Sequence, residues 1–269
     1  MDRIGLTGST GSLGKIFLKK YRNKNIKCFR GDIRNKKLFN IWIKKNNINI
    51  LLHFAAIVPI KRVNKDLKKA YDVNYIGTKN IVDACAENKI EWFFFTSTSH
   101  VYKYSKKKLL ETEKKKPTSY YGKTKLLAEN YIIKKFTSNN IPFCIGRIFS
   151  TANKNQKKDY LVPDLKRKIK KKGKVFLKNL NHYRDFVSMD DISKIILILY
   201  SKKYKGILNI ASGKSIYLKD IAKEIINKYN KKNYVFKDNQ VSTSLVGNNS
   251  KLMRIKKIKI DTSIKKLIF

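Results

Sequence analysis

Short apolar runs alternate with longer amphipathic segments through the first 150 residues of the chain. The apolar runs predict strands at residues 3–7, 27–30, 48–54, 92–96 and 142–145. Apolar positions three or four residues apart predict helices at residues 13–21, 38–45, 73–88 and 121–136. Strands that are apolar throughout are typical of a sheet covered on both faces. We therefore predict an α/β fold built on a Rossmann-type, doubly wound parallel sheet.

The pattern loosens after about residue 150. It predicts a polar loop at residues 153–159, a short basic helix at 161–171, a strand at 208–211 and a helix at 218–229. We interpret residues 1–150 as the Rossmann domain, with segments near 184–212 returning to it, and residues 151–269 as a smaller α/β lobe that binds the substrate. In open α/β folds, ligands bind at the carboxyl edge of the sheet.

The charge of the chain is strongly positive, with 62 Lys and Arg against 19 acids and a net charge of +43. The lysines are spread along the chain and arginine is scarce, which favours non-specific attraction to nucleic acid over a dedicated function there. No apolar run is long enough to span a membrane, so we expect no membrane partner. The three scattered cysteines predict free thiols, a cytoplasmic location and no metal site.

A glycine-rich turn separates the first predicted strand from the first helix. Its first glycine permits a tight turn, its second lets the backbone approach a pyrophosphate, and its third lets helix and strand pack closely. The helix N-terminus then favours the phosphates. The strand–turn–helix context makes this a dinucleotide-binding signal. The predicted cofactor-binding residues are Thr7, Gly8, Thr10, Gly11, Ser12, Leu13 and Gly14.

The end of the second strand bears on the choice of cofactor. Asp32, in Gly31-Asp32-Ile33, is placed to accept hydrogen bonds from an adenosine ribose or to meet the adenine ring. Arg30 lies beside the same edge and could pair with a 2′-phosphate instead. We include Arg30, Asp32 and Ile33 in the cofactor site and leave NAD and NADP as alternatives.

Tyr121 and Lys125 are four residues apart at the start of a predicted helix and so share one face. A neighbouring ammonium favours phenolate and should lower the pKa of the tyrosine from near 10. The tyrosine can then exchange a proton with a substrate oxygen. Thr98, at the end of an apolar strand, is our choice to polarise that oxygen, with Ser97 and Ser99 as rivals.

These motifs together resemble the extended short-chain dehydrogenase/reductase family of nucleotide-sugar enzymes, over nearly the whole chain. The resemblance implies that Phe54, Ala55 and Ala56 border the cofactor and that Asn74 helps to hold the active site. It also implies that Ser99, His100, Arg147 and Arg184 lie on the substrate side. The matching segments are TGSTGSLG (7–14), GDI (31–33), HFAA (53–56), VNYIGTKN (73–80), STSHVY (97–102), YGKTKLLAE (121–129), GRIF (146–149), YLVP (160–163) and RDFVSMDDI (184–192).

Departures from the family pattern bear on the reaction. Nucleotide-sugar dehydratases carry Asp-Glu after the catalytic threonine, whereas this chain has Ser99-His100. Dehydration is therefore disfavoured, although an imidazole here could move a proton next to a ketone. The chain is also short for the family, which is more usual among 4-keto-sugar reductases.

We expect a reductase of a nucleotide-activated 4-keto(-6-deoxy) sugar in surface-polysaccharide assembly, dimerising through the helices at 73–88 and 121–136. An NAD-dependent 4-epimerase is the alternative. A non-catalytic cofactor-binding or RNA-associated protein is a third hypothesis, which the Tyr121, Lys125 and Thr98 set disfavours.

Overall fold

The structure is a computed structural model that describes residues 2–22, 24–153, 156 and 159–269. Residues 154, 155, 157 and 158 of the predicted loop at 153–159 lie outside the described part of the chain. By their contacts, the residues form two compact units that interleave along the sequence. The first unit comprises Met1–Lys103, Lys114–Arg147 and Ser193–Leu208, and the second comprises Tyr104–Glu113, Ile148–Ile192 and Asn209–Phe269.

The strands are short, and most are buried. In chain order they are β1 (Ile4–Thr7), β2 (Ile26–Phe29), β3 (Ile50–His53), β4 (Trp92–Thr98), β5 (Phe143–Ile148), β6 (Ser150–Ala152), β7 (Val175–Lys178), β8 (His182–Arg184), β9 (Phe186–Ser188), β10 (Gly206–Ile210), β11 (Ile216–Tyr217), β12 (Tyr234–Lys237) and β13 (Thr243–Leu245).

The helices range from one turn to five. They are α1 (Ser12–Lys20), α2 (Lys36–Lys45), α3 (Ile60–Val63), α4 (Leu67–Tyr71), α5 (Thr78–Glu87), α6 (Tyr120–Ser138), α7 (Leu161–Ile169), α8 (Met189–Ser201), α9 (Leu218–Lys228), α10 (Ser250–Ile255) and α11 (Ile264–Ile268). A π-helical turn, Asp72–Gly77, leads into α5, and a 3₁₀ turn, Ser99–Val101, follows β4.

The main sheet has six parallel strands in the order β10-β5-β4-β3-β1-β2. Its centre is in register, with Thr7 beside His53 and His53 beside Phe95. The strand order reverses direction between β1 and β3, as in a doubly wound sheet. This arrangement confirms the predicted Rossmann-type α/β fold.

Strand β4 begins with four consecutive aromatic residues. Trp92 and Phe94 alternate with Phe93 and Phe95, and all four side chains are fully buried. Phe93 and Phe95 join a core formed with α2, α5 and α6. Trp92 lies 6.2 Å from the ring of Tyr200 on α8, between ring centroids. Because side chains alternate along a strand, β4 is apolar on both faces, which matches the prediction of a covered sheet.

The second unit has its own core and smaller sheets. Strands β11, β8 and β13 form one sheet, and β12 pairs with β7 in another. Helices α7 and α9 pack against these strands through buried residues such as Val162, Leu165, Ile221 and Ile225. Helix α8 and the short strands of this unit were not predicted. Strands of two to four residues leave too few alternating positions to identify a period.

The predicted helix at 73–88 divides into two parts. Asp72–Gly77 is π-helical, and α5 continues from Thr78 to Glu87. Such wide turns occur mostly at functional positions. Here the wide turn carries Asn74, whose side chain bonds the backbone of Ile57.

Candidate active site

The glycine turn between β1 and α1 is tightly closed against its neighbours. Gly8 has a positive φ of 75°, and a Cβ on it would lie 2.6 Å from the Ala55 backbone nitrogen. A Cβ on Gly14 would strike the Gly8 carbonyl oxygen. Helix α1 begins after Gly11 with no side-chain cap, so its first N–H groups are not bonded by a capping side chain. The turn therefore packs tightly against the chain after β3 and leaves an uncapped helix end of the kind that binds a pyrophosphate.

A buried histidine ties this turn to the next strand. His53 Nδ1 lies 2.6 Å from Thr7 Oγ1, and its Nε2 lies 3.0 Å from Thr78 Oγ1. Burial lowers the pKa of His53 to about 3, and the charge of Lys125 acts in the same direction. The imidazole is therefore neutral near pH 7. It links the ends of β1 and β3 to the start of α5, which is a structural role.

Asn74 connects the chain after β3 to the first turn of α6. Its Oδ1 accepts the Ile57 backbone N–H at 2.7 Å, and its Nδ2 donates to Thr124 Oγ1 at 3.3 Å. The Thr124 hydroxyl donates to the carbonyl oxygen of Tyr121 at 2.9 Å. The buried side chains of Asn74 and Thr124 thus hold the first turn of α6, which fixes the backbone of Tyr121.

The end of β4 lies against the same turn of α6. Thr98 Oγ1 accepts the His100 backbone N–H at 3.2 Å, and the His100 ring lies edge-on to Tyr121, with 6.1 Å between the ring centroids. A Cβ on Gly122 would strike the His100 carbonyl oxygen, so the glycine after the tyrosine lets strand and helix meet. The structure thus places His100 in contact with both Thr98 and Tyr121.

Lys125 is buried within this group. Its side chain is 1% exposed, its Nζ lies 3.9 Å from the centre of the Phe95 ring, and it has no hydrogen-bond partner among the described residues. Burial lowers the pKa of Lys125 to about 7, although the charge of Glu129 opposes the shift. A buried amine with unused donors is costly and calls for a specific explanation.

Arg147 corrects one expectation. We placed this residue on the substrate side, but its side chain is fully buried in an ion pair with Glu129, with 2.7 Å between Nη2 and Oε2. Its Nη1 donates to Tyr102 Oη at 2.8 Å, and Glu129 also accepts the Ser97 hydroxyl. Burial acts to lower the pKa of Arg147, but the bonds and charge of Glu129 outweigh it and raise the pKa. Arg147 therefore holds β5 against α6.

The sequence interpretation missed two buried residues of α6. The charge of Glu129 acts on Lys125, and the Thr124 hydroxyl bonds the Tyr121 carbonyl oxygen. Glu129 is four residues after Lys125 and is the only acid in α6. An acid on the apolar face of a helix signals a buried partner, because an unpaired buried carboxylate is very costly. That signal was present in the sequence.

The end of β2 is exposed and carries charges of both signs. Asp32 accepts from the Arg34 side chain, with 2.6 Å between Nη2 and Oδ2, and from the Arg34 backbone N–H. These hydrogen bonds hold the pKa of Asp32 below its usual value. Arg30 is exposed, whereas Ile33 is buried in the core of the first unit. Arg34 was not predicted.

Arg184 lies in the second unit. Its guanidinium donates to Thr243 through the carbonyl oxygen at 3.0 Å and Oγ1 at 2.9 Å, and it lies 5.6 Å from the centre of the Tyr104 ring. Burial lowers the pKa of Arg184. The adjacent Asp185 accepts the backbone N–H groups of Ser212 and Gly213, which fixes this strand locally.

Comparison with known proteins identifies the class. Residues 5–211 match the NAD dependent epimerase/dehydratase family, and the chain belongs to that family. The family is NAD(P)-dependent and its members act on nucleotide sugars, which confirms the predicted cofactor class and the resemblance.

Individual relatives are distant. An uncharacterized membrane protein of Methanocaldococcus jannaschii is 24% identical over 91% of this chain and 76% of its own length. Human dTDP-D-glucose 4,6-dehydratase is 26% identical over 84% of this chain. GDP-6-deoxy-D-talose 4-dehydrogenase of Aggregatibacter actinomycetemcomitans is 28% identical over 78% of this chain and 74% of its own length. This chain spans 55% to 64% of the length of the 4,6-dehydratases from Dictyostelium, cattle and humans.

Solved structures share the fold. UDP-glucose 4-epimerase of Thermus thermophilus in complex with NAD gives a TM-score of 0.86 at 19% identity, covering 99% of this chain and 97% of that one. RMD of Pseudomonas aeruginosa complexed with NADPH gives 0.88 at 18% identity, covering 100% and 96%. Among the described residues, no helix is both long and apolar enough to cross a membrane.

Proposed function

We propose that the protein is an NAD(P)-dependent oxidoreductase that reduces a nucleotide-activated 4-keto(-6-deoxy) sugar. The observation that carries this proposal is the buried amine of Lys125, which lies one helical turn after Tyr121 and has no hydrogen-bond partner among the described residues. Its unused donors fit the hydroxyls of a nicotinamide ribose. The N-terminus of α1 fits the pyrophosphate, because no side chain caps it and its first N–H groups can meet an anion.

The remaining residues of the proposed cofactor site come from the glycine turn, the ends of β2 and β3, and the segments that carry Asn74 and Tyr121. Thr10, Ser12 and Leu13 flank the helix end, and Asp32 or Arg30 would meet the adenosine side. We retain Thr7, Gly8, Thr10, Gly11, Ser12, Leu13, Gly14, Arg30, Asp32, Ile33, Phe54, Ala55, Ala56, Asn74, Tyr121 and Lys125 as this proposed site. NAD(P)H supplies the reducing equivalent when it is bound.

In the proposed reaction, the Tyr121 hydroxyl gives its proton to the keto oxygen of the sugar as that oxygen gains negative charge. The Lys125 ammonium stabilises the phenolate that remains. The Thr98 hydroxyl accepts the His100 backbone N–H and so keeps its own hydrogen to donate to the same oxygen. Ser97 is a weaker candidate because its hydroxyl is bonded to buried Glu129.

Substrate recognition would use residues that the family resemblance implies for the substrate side. Ser99 and His100 follow Thr98 on the 3₁₀ turn, and Arg184 would pair with the nucleotide diphosphate as a guanidinium fork. Ser99-His100 replaces the Asp-Glu pair of the dehydratases, which favours reduction over water loss. The 4-dehydrogenase relative supports chemistry at the sugar C4 position.

The test begins with mass analysis of small molecules bound to the purified protein. The protein is then mixed with NADH or NADPH and a panel of nucleotide 4-keto sugars, and absorbance is followed at 340 nm. Loss of absorbance in proportion to one sugar is expected and names the cofactor. Tightly held NAD with interconversion of the parent sugars, and no net loss of absorbance, would show a 4-epimerase instead.

The catalytic assignment has a matched pair of variants. We expect Tyr121→Phe to lower kcat at least about a hundredfold, the usual scale for a positioned proton donor. Tyr120→Phe, at the preceding position of α6, removes a phenol hydroxyl outside the proposed machinery and should change kcat less than about threefold. Equal rates in wild type and Tyr121→Phe would refute the assignment.

We also propose a homodimer that uses α5 and α6. These helices contact each other through Tyr131 and Asp83, whose Oη and Oδ1 lie 2.5 Å apart, and Leu127 is 41% exposed. Sedimentation equilibrium should give about twice the chain mass of 31.4 kDa, and a monomer at working concentration would refute the dimer.

A further inference from the structure

The second unit carries a positively charged face on its two-stranded sheet. Strands β7 and β12 run parallel, with Phe176 beside Val235 and Lys178 beside Lys237. Val175 and Leu177 point into the core, so Phe176 and Lys178 point outward. Phe176 is 44% exposed. We call Lys174, Phe176, Lys178, Val235 and Lys237 the basic face.

The charges of this face are not neutralised locally. Lys174, Lys178 and Lys237 form no ion pair with a carboxylate among the described residues. Residues 165–184 and 225–237, which include both strands, contain no acid. The next acid, Asp238, pairs with Lys219, with 2.6 Å between Nζ and Oδ2.

The loop before β7 adds to the charge. Lys170, Lys171 and Lys172 are exposed after α7, and Lys231 donates to the Lys171 and Gly173 carbonyl oxygens at 2.7 Å and 2.6 Å. This contact ties the lysine-rich loop before β7 to the lysine-rich loop before β12. The positive potential therefore belongs to one continuous surface of the second unit.

The chemistry of this face favours a lipid surface over nucleic acid. Residues 168–183 and 225–237 contain no arginine, so bidentate bonds to phosphates or bases are absent there. Lys237 Nζ lies over the Phe176 ring at 4.7 Å from its centre, and Lys174 Nζ lies at 5.8 Å. Those ammonium groups stand where a nucleic-acid base would stack. A ring flanked by lysines instead suits the headgroup boundary, where lysine stems extend beside an inserted aromatic.

We propose that the basic face binds the surface of a membrane rich in anionic phospholipids. The ammonium groups of Lys174, Lys178 and Lys237 meet the phosphates, and Phe176 and Val235 enter the headgroup layer. This contact lies on the surface and requires no spanning helix, so it revises the expectation that the protein has no membrane partner. It does not depend on the proposed enzymatic activity.

Vesicle co-sedimentation of the full chain tests the proposal. The vesicles contain either phosphatidylcholine alone or equal parts of phosphatidylcholine and phosphatidylglycerol, in about 0.15 M salt. Each lysine near such a surface contributes about fivefold to partitioning. The triple variant Lys174→Gln, Lys178→Gln, Lys237→Gln should therefore partition about a hundredfold less onto the anionic vesicles. Phe176→Ser should weaken partitioning several-fold without changing the charge.

A matched control separates this face from the high overall charge. Lys37→Gln, Lys44→Gln, Lys45→Gln removes the same charge from exposed positions of α2 in the first unit. It should change partitioning less than about threefold. Circular dichroism and thermal melting verify that all variants fold. Equal losses in both triple variants would overturn the proposal, as would a basic-face variant that loses poly(U) binding while keeping vesicle binding.

Discussion

Lys125 and Arg147 are both buried cations of the first unit, but their surroundings differ. Arg147 pairs with Glu129 at 2.7 Å and also bonds Tyr102. Lys125 faces an aromatic ring and has no hydrogen-bond partner in the described part of the chain. The satisfied cation is typical of a structural role, whereas the unsatisfied one is typical of a site that awaits a ligand. Burial alone therefore does not separate structure from function, while the bonding of the buried group does.

The largest expected effect is a loss of stability when Arg147, the cation paired with Glu129, is replaced. Arg147→Met leaves the Glu129 carboxylate buried without its partner, so the free energy of unfolding should fall by about 3–5 kcal/mol. Urea unfolding of wild type and variant measures the change. Adding Glu129→Gln to Arg147→Met removes the buried, unpaired carboxylate. The double variant should therefore recover at least half of the lost free energy of unfolding. An Arg147→Met variant as stable as wild type would refute the structural role of Arg147.

The same measurement on Lys125, which forms no hydrogen bond among the described residues, should show no loss of stability. Lys125→Met replaces a buried amine with an apolar chain of similar length, so at pH 7 the free energy of unfolding should stay the same or rise by up to about 2 kcal/mol. Urea unfolding under the Arg147→Met conditions tests this. A loss above about 2 kcal/mol would show that Lys125 stabilises the fold and would break the comparison.

The difference in free energy of unfolding between Lys125→Met and wild type should also depend on pH. Burial lowers the pKa of folded Lys125 to about 7, against 10.5 for an ordinary lysine. Between these values the unfolded chain holds a proton that the folded chain lacks, so this group makes folding more favourable as pH rises. Below pH 7 both states are protonated and the full cost of the buried charge remains. The stability advantage of Lys125→Met should therefore be largest below pH 7 and shrink towards pH 10. A constant advantage would contradict the shifted pKa.

The alternation of strands and helices was predictable from sequence in the first unit because β3 and β4 each begin with a run of apolar residues and helices separate them. The glycine turn and the Tyr121–Lys125 pair were also recognisable, since their spacing is set by local backbone geometry. The π-helical turn at Asn74 was not, because its side chain bonds Ile57, 17 residues away in the sequence. The role of Arg147 was misjudged because a motif gives no information about burial, and Glu129 lies 18 residues before it.

Calorimetric titration of NADH and NADPH into wild type and Lys125→Met most directly tests the claim that Lys125 holds the nicotinamide ribose. A hydrogen bond from a charged donor is worth about 1.5–3 kcal/mol, so the affinity of the variant for the preferred cofactor should fall at least about tenfold. Equal affinity in both proteins, with the variant shown to be folded, would mean that the unused donors of Lys125 are not the cofactor contact and would contradict the account.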